Sequence, residues 1–169
     1  MRYPESLYPV TDELFRSVSG DVVRIPKASP VFRKWRGDPP KETYGNKPIL
    51  DINGVPGFAE LATLKLLQAD GWLGVWIDTF RKQTRSVTGA RVDLPSDQRE
   101  LLEKIYAVAG TRAGYFDIFC WMAESVLFVE AKQKGRDRVR PTQVRWLTAA
   151  LETGLPVRSF LIVEWQVND

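Results

Sequence analysis

The chain has 169 residues, of which 44% are hydrophobic, and its six Trp and eight Phe can bury one sizeable core. The formal net charge is only +3, and the sequence contains no histidine. The lack of histidine excludes Ser-His-Asp and Cys-His catalysis, HEXXH metalloproteases and nucleases with a histidine general base. Acid-base chemistry must therefore use carboxylates, lysine, tyrosine or an activated water.

A single cysteine, Cys120, excludes an internal disulfide and a thiolate zinc cluster. We expect Cys120 to pack in the core, because strand alternation turns it away from Asp117. No apolar run approaches the roughly 20 residues of a membrane span, and the N-terminus has no signal-peptide pattern. These features predict a cytoplasmic protein in a reducing compartment, with no membrane partner.

Residues 1–55 hold most of the prolines and show no sustained period. We expect an irregular, proline-rich arm packed on the core, with a short helix at Asp12 to Val18. Its basic residues are expected to face solvent, with contact to nucleic acid as the alternative; they are Arg33, Lys34, Arg36, Lys41 and Lys47.

The remaining domain, residues 56–169, begins with a predicted helix from Pro56 or Gly57 to Asp70, ended by Gly71. Glu60 shares a face with Leu64 and Leu67 at helical spacing. A carboxylate on an apolar stripe is unusual. Either Glu60 pairs with a nearby Arg or Lys at the margin of the stripe, or it serves a site.

Residues 72–80 read as the first strand of this domain, and residues 81–93 as an exposed loop or hairpin. Ser96 is a plausible N-cap for a helix from Asp97 to Ala109. The apolar residues of this helix form a predicted buried stripe, which indicates a structural role. We therefore predict a helical insertion at about residues 80–113.

Two apolar, strand-like runs follow, Gly114–Met122 and Val126–Lys132, and they contain Asp117, Glu130 and Lys132. Charged side chains in such runs need a partner or a metal to offset desolvation. Because strand side chains alternate, Glu130 and Lys132 point to one face.

A hairpin with an even-numbered loop brings Asp117 to the same face. A four-residue loop sets Asp117 opposite Glu130, whereas a two-residue loop, Glu124-Ser125, sets it opposite Lys132. Two facing carboxylates repel unless a cation lies between them, and hard oxygen ligands suit Mg²⁺ or Mn²⁺.

A basic segment comes next, typical of a polyanion-binding surface. A solvated basic loop is the alternative, but the position directly after Lys132 favours phosphate binding. The residues concerned are Lys134, Arg136, Arg138, Arg140 and Arg145.

A helix is predicted from Pro141 to Thr153, ended by Gly154, and a last strand from Val157 to Trp165. The predicted core stripe of the helix consists of Val144, Leu147 and Leu151. Gln143 lies in the first turn near that face, where periodicity is equally consistent with a surface residue.

The order of these elements and their motifs resemble a known family. The motifs are Gly114-x-x-Asp117, Phe128-Val-Glu130-Ala-Lys132, Arg140-Pro-Thr-Gln143-Val-Arg-Trp146-Leu147 and Leu151-Glu-Thr-Gly154. They are similar to the PD-(D/E)XK nuclease core, and most closely to its virus-type replication-repair nuclease (VRR-NUC) branch. The resemblance covers roughly residues 56 to 165. Tyr115-Phe116 replaces the usual proline before the aspartate, and the stretch 74–113 is longer than expected.

The resemblance implies an α/β (α+β) fold with a restriction-endonuclease-like core, a central mixed β-sheet flanked by helices. It implies Mg²⁺ (or Mn²⁺) bound by Asp117, Glu130 and the carbonyl of Ala131, with Glu60 acting directly or through water. Lys132 would position the nucleophile or stabilise transition-state charge, and Gln143 would assist positioning.

We therefore expect a metal-dependent deoxyribonuclease that serves DNA repair, and specificity for junction, flap or nicked DNA is left open. The expected partner is DNA, and a homodimer is left open. Two alternatives remain: a non-catalytic nucleic-acid-binding or scaffold module, and a small-molecule enzyme or protein-interaction domain with a paired Glu and Lys on a sheet face.

Overall fold

The computed structural model describes residues 3–43 and 46–168. The strands are β1 Thr11–Arg16, β2 Val22–Ala28, β3 Val31–Arg33, β4 Leu50–Asp51, β5 Pro56–Gly57, β6 Leu73–Asp78, β7 Gln83–Arg85, β8 Ile118–Met122, β9 Ser125–Gln133 and β10 Phe160–Asn168. The α-helices are α1 Ala59–Ala69, α2 Ser96–Ala109 and α3 Pro141–Glu152.

One mixed sheet dominates the described residues, with the strand order β1-β2-β10-β9-β8-β6-β7. Strand β10 runs parallel to β2 and β9, whereas β1–β2, β9–β8, β8–β6 and β6–β7 are antiparallel. Strand β3 pairs with the end of β10. The predicted α/β class with a central mixed sheet is confirmed.

Helices cover both faces of this sheet, because the central strands are apolar on both sides. Leu127 and Val129 of β9 pack in the cluster that contains α1, whereas Phe128 packs with α2 and α3. The ring of Phe128 meets Trp146 of α3 edge-on, with centroids 5.0 Å apart. This aromatic contact fixes α3 over β9, where the charged residues emerge.

The N-terminal region is not the irregular arm that its prolines suggest. The helix predicted at Asp12 to Val18 is absent: residues 11–16 form β1, and β2 and β3 extend the main sheet. The prediction failed because Pro26 reads as a strand breaker. In the register of the hairpin, Pro26 lies opposite Asp12, a position where no ladder hydrogen bond is required of it.

The helices and strands predicted after residue 55 are present, with ends that differ by a few residues. Residues 81–93 contain the predicted hairpin, since Arg85 forms an antiparallel bridge with Arg91 and Ser86 N–H donates to Ala90 O. The phase of α3 differs from the prediction. Trp146 and Ala150 are fully buried, and Val144 and Leu151 are only partly so. The bulky indole rotates the helix and brings Gln143 to its buried face.

None of the helices in the described ranges combines the length and the apolar character that crossing a membrane requires.

Candidate active site

The β8–β9 hairpin sets the position of Asp117. Met122 pairs with Ser125 and Ile118 pairs with Val129, so Asp117, one residue before β8, lies opposite Glu130. The turn consists of Ala123 and Glu124, with Ala123 in the left-handed region at φ 49°. Of the two registers considered from sequence, the structure has the one that places the two carboxylates face to face.

Asp117 is held at the end of its strand from both sides. Its carbonyl accepts a hydrogen bond from Ile77 N–H at 2.7 Å, and its Oδ2 accepts one from Ala131 N–H at 3.0 Å. As a whole residue, Asp117 is half-buried. Asp117 is thus presented to an opening beside the Glu-Ala-Lys segment of β9.

Gly114 explains how the loop before Asp117 can approach α3. Its φ is 89°, and a Cβ at this position would overlap the carbonyl of Thr142 in the first turn of α3. Only a residue without a side chain fits such an approach without strain. The glycine therefore lets the Asp117 loop pack closely against the helix turn that carries Gln143.

Glu130, Lys132 and Gln143 form a buried network. Lys132 Nζ lies 2.6 Å from Glu130 Oε1 and donates to Gln143 Oε1 at 3.2 Å. Gln143 Nε2 donates to Glu130 Oε1 at 2.6 Å, and Gln143 Oε1 also accepts from Arg140 N–H at 3.0 Å. Within the described residues, Glu130 Oε2 is buried and has no hydrogen-bond partner.

The electrostatics of the two facing acids favour protonation. Burial raises the pKa of Asp117 well above its usual range, and the charges of Glu130 and Glu60 raise it further, although Lys47 opposes them. Burial also raises the pKa of Glu130, against the opposing effects of Lys132 and Gln143. A cation between the two acids would reverse this preference.

Glu60 lies on α1, on the other side of the sheet, and lines a cleft that also contains Asp117 and Glu130. Its carboxylate forms an ion pair with Lys47, whose Nζ also lies 5.0 Å from the centre of the Phe58 ring. The sequence left open whether Glu60 pairs with a nearby Arg or Lys, and the structure shows that it pairs with Lys47. Lys47, expected at the surface, therefore belongs to the site.

Two clefts meet at the acidic pair. One has a volume of about 820 Å³ and is lined by Glu60, Asp117, Glu130, Lys132 and the basic loop. The other, of about 770 Å³, lies toward α2 and shares Asp117 and Glu130 with it. Besides Lys47 and Lys132 in the first cleft, further cations line both clefts. They are Arg136, Arg138 and Arg140 in the first and Lys82, Arg99, Arg112 and Arg140 in the second.

The basic residues predicted from sequence thus divide into two groups. Arg136, Arg138 and Arg140 line the first cleft. Lys134 and Arg145 are exposed and line neither cleft.

Sequence reasoning missed one aromatic residue near the site. Phe80 is 89% exposed and lines a recess of about 270 Å³ that also contains Lys47 and Asp117. The guanidinium of Arg81 lies 6.0 Å from the centre of its ring. An exposed phenylalanine directly after a buried strand is the sequence signal that could have identified it.

In the described part of the chain, no three His, Cys, Asp or Glu side chains are grouped closely enough to hold a metal ion. The arrangement instead offers two carboxylates and the neighbouring backbone of Ala131. Comparison with family models, curated proteins and solved structures gave no match for this chain.

Proposed function

We propose that the protein is a metal-dependent nuclease that hydrolyses phosphodiester bonds in DNA. The observation that carries this proposal is the pairing of Asp117 with Glu130, next to the buried Lys132, where two cation-lined clefts meet. An acid in a cleft whose pKa is raised by burial and by a neighbouring carboxylate is a recurrent feature of catalytic sites.

The residues present fit Mg²⁺ or Mn²⁺. Glu130 Oε1 is engaged by Lys132 and Gln143, while the buried Oε2 has no protein partner in the described residues. Mg²⁺ is commonly bound through one or two carboxylates, with water and substrate phosphate completing its octahedron. Asp117, Glu130 Oε2 and the Ala131 carbonyl would hold the ion, and Glu60, paired with Lys47, would act through water. When bound, the ion supplies Lewis-acid polarisation of the phosphate and activation of a water.

The protein's own residues would supply the remaining chemistry. Lys132 is 8% exposed and is oriented by two oxygens, Glu130 Oε1 and Gln143 Oε1. A fixed ammonium stabilises charge that develops on a phosphoryl oxygen, because it needs no reorganisation during the reaction. Gln143 holds Glu130 and Lys132 in register and is a positioning residue.

The surroundings of the site suit DNA with unpaired nucleotides. Arg136, Arg138 and Arg140 line the first cleft, where they would contact phosphates of either strand without reading sequence. Phe80 offers a solvent-exposed ring beside Asp117, and base stacking on such a ring tolerates any sequence. Stacking requires an unpaired base, which favours flapped, frayed or branched substrates over intact duplex.

One observation favours a second function, a non-catalytic nucleic-acid-binding module. Glu130 and Glu60 are each paired with a lysine, which is also how a site that has lost its metal would neutralise them. The two functions differ in outcome, because the module would bind DNA without cutting it.

The proposal is tested with purified protein, Mg²⁺ or Mn²⁺, and a panel of linear, nicked, flapped and four-way DNA. We expect cleavage that EDTA abolishes, fastest on substrates with unpaired bases. Phe80→Ala should slow cleavage of flapped DNA more than of nicked duplex, and Leu73→Ala, at an exposed apolar residue outside the clefts, is the control. DNA binding without cleavage of any substrate would favour the non-catalytic module.

A further inference from the structure

Strand β1 lies at one end of the sheet order, so one of its two edges has no neighbouring strand within the described residues. Just beyond it, Ser17 N–H donates to Asp21 O, in register with the β1–β2 ladder. Hydrogen-bonded pairs alternate along an antiparallel ladder, so Phe15 and Glu13 bond to β2. The backbone groups of Asp12, Leu14 and Arg16 consequently point to the free edge.

The same alternation divides the side chains of β1 between two faces. Phe15 is buried, and Glu13 pairs with Lys27 of β2 at 2.9 Å. Asp12, Leu14 and Arg16 lie on the opposite face and are exposed, Leu14 by 58%. Leu14 and Asp12 line an open surface depression of about 500 Å³. An exposed edge with an apolar centre is a template for pairing with another chain unless it is blocked.

We infer that β1 is a homodimer interface, in which two copies of the chain pair their β1 edges antiparallel about a twofold axis through Leu14. In this register, Leu14 faces Leu14 of the second copy. Asp12 faces Arg16 of the second copy, and the symmetry repeats that pair. Each facing pair exchanges both of its backbone hydrogen bonds, because all three residues direct their backbone groups to the edge.

The charges select this register among its neighbours. Centring the axis on Asp12 would place two aspartates opposite each other, and centring it on Arg16 would place two arginines together. Like charges directly opposite on a sheet are destabilising, and opposite charges are favourable. Arg16 Nη1 donates to Gly20 O at 3.0 Å, which leaves other guanidinium donors for a carboxylate.

The match is confined to the strand itself. Val10 and Val18 lie just beyond the two ends of the strand and are 73% and 71% exposed. Val10 N–H donates to Lys27 O of β2, and Val18 lies in the turn after β1, so neither residue belongs to the pairing edge. The outward positions of β1, Asp12, Leu14 and Arg16, are complementary to their own reverse. This inference does not depend on the proposed nuclease activity.

The oligomeric state tests the interface by sedimentation velocity from low micromolar to near-millimolar protein. We expect a monomer–dimer equilibrium whose dissociation constant Asp12→Arg raises by about tenfold or more, because two facing pairs become repulsive. Arg16→Asp should weaken the dimer similarly. The double variant Asp12→Arg/Arg16→Asp restores both opposite-charge pairs and should restore the dimer. Glu100→Arg, with the same charge change on the exposed surface of α2, is the control.

A backbone variant separates pairing from side-chain effects. Leu14→Pro removes an N–H that points away from β2, so the β1–β2 ladder can remain while the edge is blocked. We expect a folded monomer, verified by circular dichroism and thermal unfolding. A parent protein that is monomeric throughout the range, a dimer that survives Leu14→Pro, or a charge-swapped double variant that stays monomeric would overturn the inference.

Discussion

Glu130 and Gln143 are joined by a buried hydrogen bond of 2.6 Å, from the amide Nε2 to the carboxylate Oε1. This bond crosses the interface between β9 and α3. The amide oxygen of the same side chain accepts from Lys132 and from the backbone of Arg140. One glutamine thus satisfies a carboxylate, an ammonium and a helix terminus together.

Gln143→Ala should lower the free energy of unfolding by about 1–3 kcal/mol, because buried donors and acceptors lose their partner. Urea denaturation measures this loss. Gln166→Ala, at an exposed position of β10, is the matched control and should change stability little. Equal stability of the Gln143→Ala variant and the parent would show that the network contributes nothing to folding.

Asp117 should make the metal-free protein less stable as pH rises. Its pKa is raised in the folded state, so the native protein binds the proton more tightly than the unfolded chain. The stabilisation that this bound proton gives the folded state is complete below the ordinary pKa of an aspartate carboxyl. It is lost as pH rises toward the raised pKa of Asp117 in the folded protein.

Asp117→Asn removes this titration and should give a higher Tm than the parent at neutral pH in EDTA. The difference in Tm should disappear in acid, where the parent carboxyl is protonated. Asp97→Asn, at an exposed position, is the control. A Tm difference that is constant across pH would contradict the assignment of a raised pKa to Asp117.

Gly114→Ala should be more destabilising than Gly110→Ala. Both glycines have positive φ, so each substitution costs on the order of 1 kcal/mol of backbone strain. At Gly110 no atom lies within 4 Å of the added Cβ, whereas at Gly114 the Cβ meets the Thr142 carbonyl. Thermal unfolding of the two variants isolates the cost of that overlap, and equal destabilisation would argue against a close approach.

The cleft arginines should bind phosphate independently of sequence. Removal of Arg138 should weaken binding of all DNA sequences alike and reduce the log–log salt slope by about one unit. Arg145→Ala, which changes an exposed arginine outside both clefts, should leave the slope closer to that of the parent. Fluorescence anisotropy against salt measures both slopes. If the two variants lose the same slope, the DNA does not occupy the cleft.

The sequence was sufficient to predict the elements whose patterns are local. Helix α1 ends before Gly71, and α3 begins at Pro141, because these residues act within one turn. The facing of Asp117 and Glu130 was predictable only as one of two registers. The choice between them depends on the conformation of Ala123 in the turn.

Other features depend on contacts between distant segments, which periodicity does not encode. Lys47 pairs with Glu60 across 13 residues, and α3 takes its phase from the packing of Trp146 on Phe128 and Phe116. The strand at residues 11–16 was read as a helix for the same reason. Its partner strand, β2, was not predicted because it contains Pro26.

Cleavage by Lys132→Ala tests the central claim most directly. Lys132 is proposed to act on the transition state, so this variant should cut DNA about 10²-fold more slowly while its affinity for DNA changes little. Thermal unfolding verifies that the variant is folded, and Lys104→Ala on α2 serves as the control. If Lys132→Ala cuts DNA at the parent's rate, Lys132 has no role in catalysis and the proposed active site is wrong.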